Sequence, residues 1–139
     1  MNRFVLDASI ALAWFIDRPI APYATRVQQW LLRGDLAVVP SVWRLEVANG
    51  LVVAERRGLR APSDIAFALQ NFETVPTHSV EESSYPIPMR RLVATAGQFR
   101  LTAYEAEYLD TARLQNLPLA TLDRQLEAAA VQAGVPIVR

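Results

Sequence analysis

The sequence predicts an α/β domain with a mainly parallel central β-sheet flanked by α-helices. Three observations predict it. Short apolar runs at residues 4–6, 36–39 and 119–122 stop abruptly at Asp7, Pro40 and Asp123. Longer stretches between them carry apolar residues at helical spacing. The 139 residues suit one domain, and 52% hydrophobic residues suffice for a core.

Taken in order, residues 4–6 form a buried strand ending at Asp7, followed by an Ala-rich helix over 8–15. Pro19 and Pro22 punctuate the chain before a helix over 23–32, whose Val27, Trp30 and Leu31 share a face and which Gly34 ends. Residues 36–39 form a second strand closed by Pro40. Ser41 is the N-cap of a helix running to Arg57, with Gly58 as terminator. A helix over 65–72 starts from Pro62, and Val75 lies in a short third strand. Residues 79–88 read as a loop or as only partly helical, and a helix over 88–96 ends at Gly97. Thr102 caps a helix over 103–115, which Leu117-Pro118 closes. Residues 119–122 form a strand stopped at Asp123, residues 124–133 a helix, and residues 135–138 a last strand.

Composition excludes several chemistries. The absence of cysteine removes disulfides, Cys-ligated zinc, iron–sulfur clusters and a thiol nucleophile. All 14 basic residues are Arg, so no P-loop lysine, Schiff base or Ser-Lys dyad is possible. Zero net charge argues against binding that relies on general phosphate neutralisation. A bound divalent metal supplies positive charge locally instead. No apolar run approaches the roughly 18 residues of a membrane span, and no signal-peptide pattern is present. A cytoplasmic protein without membrane contact is expected.

The acids carry the functional signal. Asp7 and Asp123 each follow a short apolar strand and precede a helix, and in an open α/β sheet the carboxyl ends of the strands form the ligand edge. Capping of the following helix explains either one alone. Glu46 falls on or beside the face marked by Val42, Leu45, Val52 and Val53, where an acid needs a salt bridge or a metal. Glu105 lies beside Tyr104, Tyr108 and Leu109, on the inward stripe; Glu107 and Asp110 fall on another face and read as solvated. Four inward or strand-terminal carboxylates without His or Cys suit magnesium, with manganese as the alternative. Such a centre activates water against a phosphodiester.

The segments Val-Leu-Asp-Ala-Ser (5–9), Pro-Ser-Val-Trp-Arg-Leu-Glu-Val-Ala-Asn (40–49), Leu-Thr-Ala-Tyr-Glu-Ala-Glu-Tyr-Leu (101–109) and Leu-Ala-Thr-Leu-Asp-Arg (119–124) resemble PIN-domain proteins, most closely the VapC-type toxins of bacterial toxin–antitoxin pairs. The resemblance spans nearly the whole chain. It implies a parallel sheet, an acidic Mg2+ or Mn2+ pocket and endonucleolytic cleavage of RNA. Asp7, Glu46 and Asp123 match the first, second and fourth family acids. The third is usually Asp and is Glu105 here, one methylene longer. Ser9, Asn49 and Thr121 fall where the family has polar neighbours of the site; local hydrogen bonding is the plainer role. The resemblance also implies an RNA substrate, a cognate antitoxin protein and a homodimer. The competing expectation is a PIN-fold binding module with a weak or inactive site. Aspartyl phosphatases and phospho-receivers fit worse, since Ser9 stands where the first wants Asp and the chain lacks the Lys of the second. His78, the single histidine, is expected in a surface or structural role. Trp14, Phe15, Trp30 and Trp43 are expected chiefly in the core. Clusters at Arg56, Arg57 and Arg60, or Arg90 and Arg91, suit either an RNA path or plain solvated surface.

Overall fold

The computed structural model describes residues 2–74 and 79–139. Four parallel strands carry the fold: β1 (Arg3–Leu6), β2 (Leu36–Val39), β3 (Val80–Glu82) and β4 (Leu119–Ala120). Their order is β3-β2-β1-β4, so β1 is central and its apolar run, Phe4-Val5-Leu6, is buried on both faces. Parallel neighbours need crossovers, and helices supply them. These are α1 (Ala8–Ile16), α2 (Pro22–Leu32), α3 (Val42–Arg56), α4 (Pro62–Thr74), α5 (Met89–Phe99), α6 (Ala103–Gln115) and α7 (Arg124–Gln132). The expected fold class, α/β with a parallel sheet between helices, is the observed one.

One core runs through the sheet and its helices, from Ile10, Val27 and Trp43 to Leu109 and Leu126. Close packing of α1 on α3 positions the site. Gly50 lies at this contact, where an added Cβ would force the Leu12 side chain to shift. Trp43 is buried, and Trp14, Phe15 and Trp30 pack partly buried against the core, as expected. Arg60 donates to the carbonyls of Phe15 and Ile16, closing the end of α1, so this arginine is structural.

Several expectations need correction. The reading of residues 79–88 as a loop missed β3; Val75 and His78 lie outside the described residues. Glu81 and Glu82 hide the strand, because a short charged edge strand carries no apolar signal. Helix α5 passes through Gly97 to Phe99 and ends at Arg100 in the left-handed conformation. An internal glycine weakens a helix by only about 1 kcal/mol. Strand β4 has two residues rather than four, and residues 135–138 contribute a single bridge, Leu119 to Ile137. Pro136 has no N–H to extend a ladder.

The buried face of α3 is Trp43, Val47, Leu51 and Ala54, while Leu45 and Val52 are exposed. The expected stripe was out of phase, since α3 is apolar on two faces and packing selects one. On α6, Tyr104 is exposed and Asp110 fully buried, the reverse of the expected arrangement. Asp110 Oδ1 accepts from Thr95 Oγ1 at 3.0 Å and faces Arg91 and Arg113 at 3.5 and 3.7 Å, tying α5 to α6. Burial with these partners replaces the solvated position that sequence suggested.

Candidate active site

The ladder between β1 and β4 runs one residue past the strands: Asp7 N–H donates to the Ala120 carbonyl at 3.0 Å. That bond sets Asp7 and Thr121 side by side at the carboxyl edge of the sheet. Both are buried. Asp7 Oδ2 accepts two hydroxyls, from Ser9 Oγ at 2.6 Å and Thr121 Oγ1 at 2.7 Å. Each hydroxyl is itself anchored. Ser9 Oγ accepts the Leu122 N–H at 3.0 Å, and Thr121 Oγ1 accepts the Asp123 N–H at 2.9 Å. Each hydroxyl has one proton, and an incoming N–H leaves that proton for the carboxylate. Ser9 and Thr121 thus sit in the neighbourhood of Asp7 that sequence suggested.

Asp7 makes no side-chain cap to α1, although it occupies the capping position. Burial pushes its carboxyl above the ordinary 3.8; the Ser9 and Thr121 bonds oppose that rise, and the charge of Asp123 adds to it. Asp123 does cap its helix: Oδ1 accepts the Leu126 N–H at 3.0 Å.

Glu46, half-buried on α3, accepts from Tyr108 Oη at 2.7 Å. Burial raises its carboxyl above the ordinary value; the Tyr108 bond opposes this, and the charges of Asp7, Glu105 and Glu107 add to it. Tyr108 is itself buried, and burial together with the Glu46 bond drives its phenol far upward. It is therefore a permanent donor. Sequence reasoning placed Tyr108 inward but missed this role. The signal was available, because a buried tyrosine hydroxyl needs a partner.

Glu105 faces this group electrostatically, but its carboxylate has another task. Oε2 accepts the Thr102 N–H at 3.0 Å while Thr102 Oγ1 accepts the Glu105 N–H at 3.1 Å, a complete capping box. Glu107 is half-buried, accepts from Ser41 Oγ at 3.3 Å, and is pushed upward by burial. Asn49 is exposed on α3 and stands outside the hydroxyl–carboxylate network.

Asp7, Glu46 and Asp123 therefore share one end of the sheet as interacting charges. Among the described residues, no three or more His, Cys, Asp or Glu side chains stand close enough to hold a metal ion as they are. The donor chemistry still fits magnesium, which is held through one or two carboxylates with water and substrate phosphate completing its shell. The charge of Asp123 acts on Asp7, and those of Asp7, Glu105 and Glu107 act on Glu46, so like charges face one another at this corner. No helix among the described residues is long and apolar enough to cross a membrane.

No family model matches the chain, and no curated protein matches it. Among solved structures, the crystal structure of PAE2754 from Pyrobaculum aerophilum is similar, with a TM-score of 0.69 at 24% identity over 92% of this chain and 79% of that one. At that identity the likeness is one of fold: this chain is an α/β protein built on the same parallel-sheet framework.

Proposed function

We propose that the chain is a metal-dependent endoribonuclease that hydrolyses RNA phosphodiester bonds, using Mg2+ or, alternatively, Mn2+. The observation that carries this reading is Asp7. It is a buried carboxylate at the carboxyl end of the central strand, held by two hydroxyls, spared from capping and flanked by other acids. A carboxylate kept at such cost of desolvation is characteristic of a functional site.

In this reading Asp7 holds the metal, with Glu46 and Asp123 as its neighbours. The bound ion supplies an acidified water and charge stabilisation at the phosphate. Ser9 and Thr121 fix the Asp7 carboxylate and aim its Oδ1 edge. Tyr108 fixes Glu46 on the facing helix and, remaining protonated, adds no negative charge. Glu105 contributes chiefly negative potential, since one of its oxygens serves the cap. The four acids named by the sequence thus divide into one anchored ligand, two adjustable ones and an outer charge.

The segments quoted from the sequence support the further reading that the protein is the toxin of a type II toxin–antitoxin pair. It would then act in the cytoplasm as a homodimer, restrained by a cognate antitoxin protein. Cleavage of a mixed-sequence RNA with and without Mn2+ tests the activity. Loss of cleavage on metal removal and in Asp7→Asn is expected, and full cleavage by Asp7→Asn overturns the proposal. Growth arrest on expression without an antitoxin tests the toxin role.

A second reading, a weak or inactive binding module, draws on the capping role of Glu105 and on the lack of a ready three-carboxylate group. Calorimetric titration with Mn2+ separates the two. Saturable binding lost in Asp7→Asn supports the nuclease, and no binding in wild type supports the module.

A further inference from the structure

Beside the acids, at the carboxyl ends of β2 and β3, lies a cavity of about 240 Å3. Its volume falls below the roughly 300–1,000 Å3 of pockets that enclose a drug-sized ligand. A single flat ring system is the better match. Its lining is unlike that of the Asp7 corner. Ser41, Ser83 and Thr111 contribute hydroxyls, Pro40 an apolar wall, Glu107 a carboxylate, and Tyr85 a ring that is 64% exposed.

The hydroxyls and the Glu107 carboxylate are tied by hydrogen bonds. Ser41 Oγ donates to Glu107 Oε1 at 3.3 Å, and Thr111 Oγ1 donates to the Glu107 carbonyl at 2.7 Å. Ser83 Oγ accepts from Gln115 at 2.7 Å and from the Tyr85 N–H at 3.3 Å. Two donors on Ser83 Oγ leave its own hydroxyl proton to point elsewhere. Glu107 keeps Oε2, and an ionised carboxylate has capacity for several donors. The cavity thus offers one exposed aromatic face, a fixed acceptor and one orientable hydroxyl, that of Ser83.

Its place in the sheet is equally informative. Strands lie about 4.8 Å apart, so the gap between β2 and β3 is roughly 7 Å from β1. That is about two stacked nucleotide steps of ~3.4 Å. Single-stranded RNA is read by stacking unpaired bases on aromatic side chains and bonding their Watson–Crick edges. A carboxylate with free acceptor capacity pairs best with two adjacent N–H donors, and guanine alone among the four bases presents these, at N1 and N2.

We propose that this cavity is a guanine-reading subsite, with Tyr85 stacking on the base and Glu107 accepting from its Watson–Crick edge. The proposal rests on the nuclease reading for RNA as the natural ligand, but its test does not require cleavage. Guanosine, inosine, adenosine, cytidine and uridine are titrated into the 139-residue protein in EDTA, followed by amide chemical shifts. Guanosine is expected to shift the signals of Ser41, Ser83, Tyr85 and Thr111. Inosine, which lacks the 2-amino group, is expected to bind about tenfold more weakly through loss of a charge-assisted hydrogen bond. Glu107→Gln and Tyr85→Ala are each expected to weaken guanosine about tenfold or more, with unchanged thermal midpoints. Asp7→Asn is expected to bind guanosine as wild type does. Equal binding of all five nucleosides, or guanosine binding indifferent to Glu107→Gln, overturns the subsite. Guanosine binding without RNA cleavage leaves the subsite standing and sinks the nuclease; cleavage without guanine preference does the reverse.

Discussion

The β1–α1 and β4–α7 corners are built to the same plan, a short buried strand, an aspartate, then a helix, yet their aspartates do different work. Asp123 spends Oδ1 on the Leu126 N–H and caps α7. Asp7 leaves α1 uncapped and gives Oδ2 to Ser9 and Thr121. The difference follows from position. β1 is central and β4 is at one side of the sheet, so Asp7 is walled by neighbours whereas Asp123 remains half-exposed. Thr121 joins the two corners, donating to one aspartate and accepting from the backbone of the other. Identical local patterns therefore yield a capping carboxylate at one corner and a carboxylate in reserve at the other.

The largest expected effect breaks the comparison at Asp7. Partners that merely support a metal site typically contribute about 10–100-fold. Asp7→Asn, which removes the proposed ligand itself, should lower Mn2+-dependent RNA cleavage by more than that in a single-turnover assay. Asp123→Asn should have a smaller effect, because Asn retains the cap. Equal losses would erase the distinction between the corners.

Thr121→Val comes next. It strips one hydroxyl from Asp7 and leaves the Asp123 N–H without its acceptor. Activity should fall about 10–100-fold, and stability by about 1–3 kcal/mol in urea unfolding. Ser9→Ala should resemble it in activity.

Asp123→Ala should cost about 1 kcal/mol more stability than Asp123→Asn, the usual worth of a helix N-cap. Asp7→Ala removes no side-chain cap bond of that kind, only the weaker pull of the Ser9 N–H on the carboxylate, and should cost less at its helix. Urea midpoints of the three variants compare the corners directly.

The smallest effect concerns pH. The folded Asp7 carboxyl sits above its unfolded value of 3.8, so the folded state holds its proton longer. Its contribution to stability is full at low pH and is lost as pH rises through the folded value. Metal-free Asp7→Asn should therefore melt above wild type at pH 7, with the gap closing as pH falls towards 3.8. Mn2+ should narrow the gap at pH 7 by stabilising the wild-type carboxylate. A gap that is constant with pH would show that Asp7 ionises freely.

Much of this site is legible in the sequence because strand-terminal acids announce themselves. Asp7, Asp123 and the hydroxyls Ser9 and Thr121 lie within two residues of apolar runs, and β-strand geometry delivers them to one edge. Glu46 was legible for a less secure reason. The stripe used to orient α3 was out of phase, and Glu46 is nevertheless half-buried beside Val47. Asp110 was misread because, although Arg113 stands at i+3 on the same helix, no local pattern reveals Thr95 and Arg91 on α5.

By itself the sequence determined the alternation of strands and helices, the parallel sheet and the edge at which the acids collect. These depend on apolar periodicity and on chain breaks, which are local and additive. Only the tertiary structure decided which face of α3 and α6 is buried and that Tyr108 holds Glu46. It also decided that two like-placed aspartates part ways. The hydrogen bonds among these outcomes join residues far apart in the chain: Tyr108 reaches Glu46 across 62 positions and Thr121 reaches Asp7 across 114. Spacing along the sequence does not encode such a contact; strand order and register do.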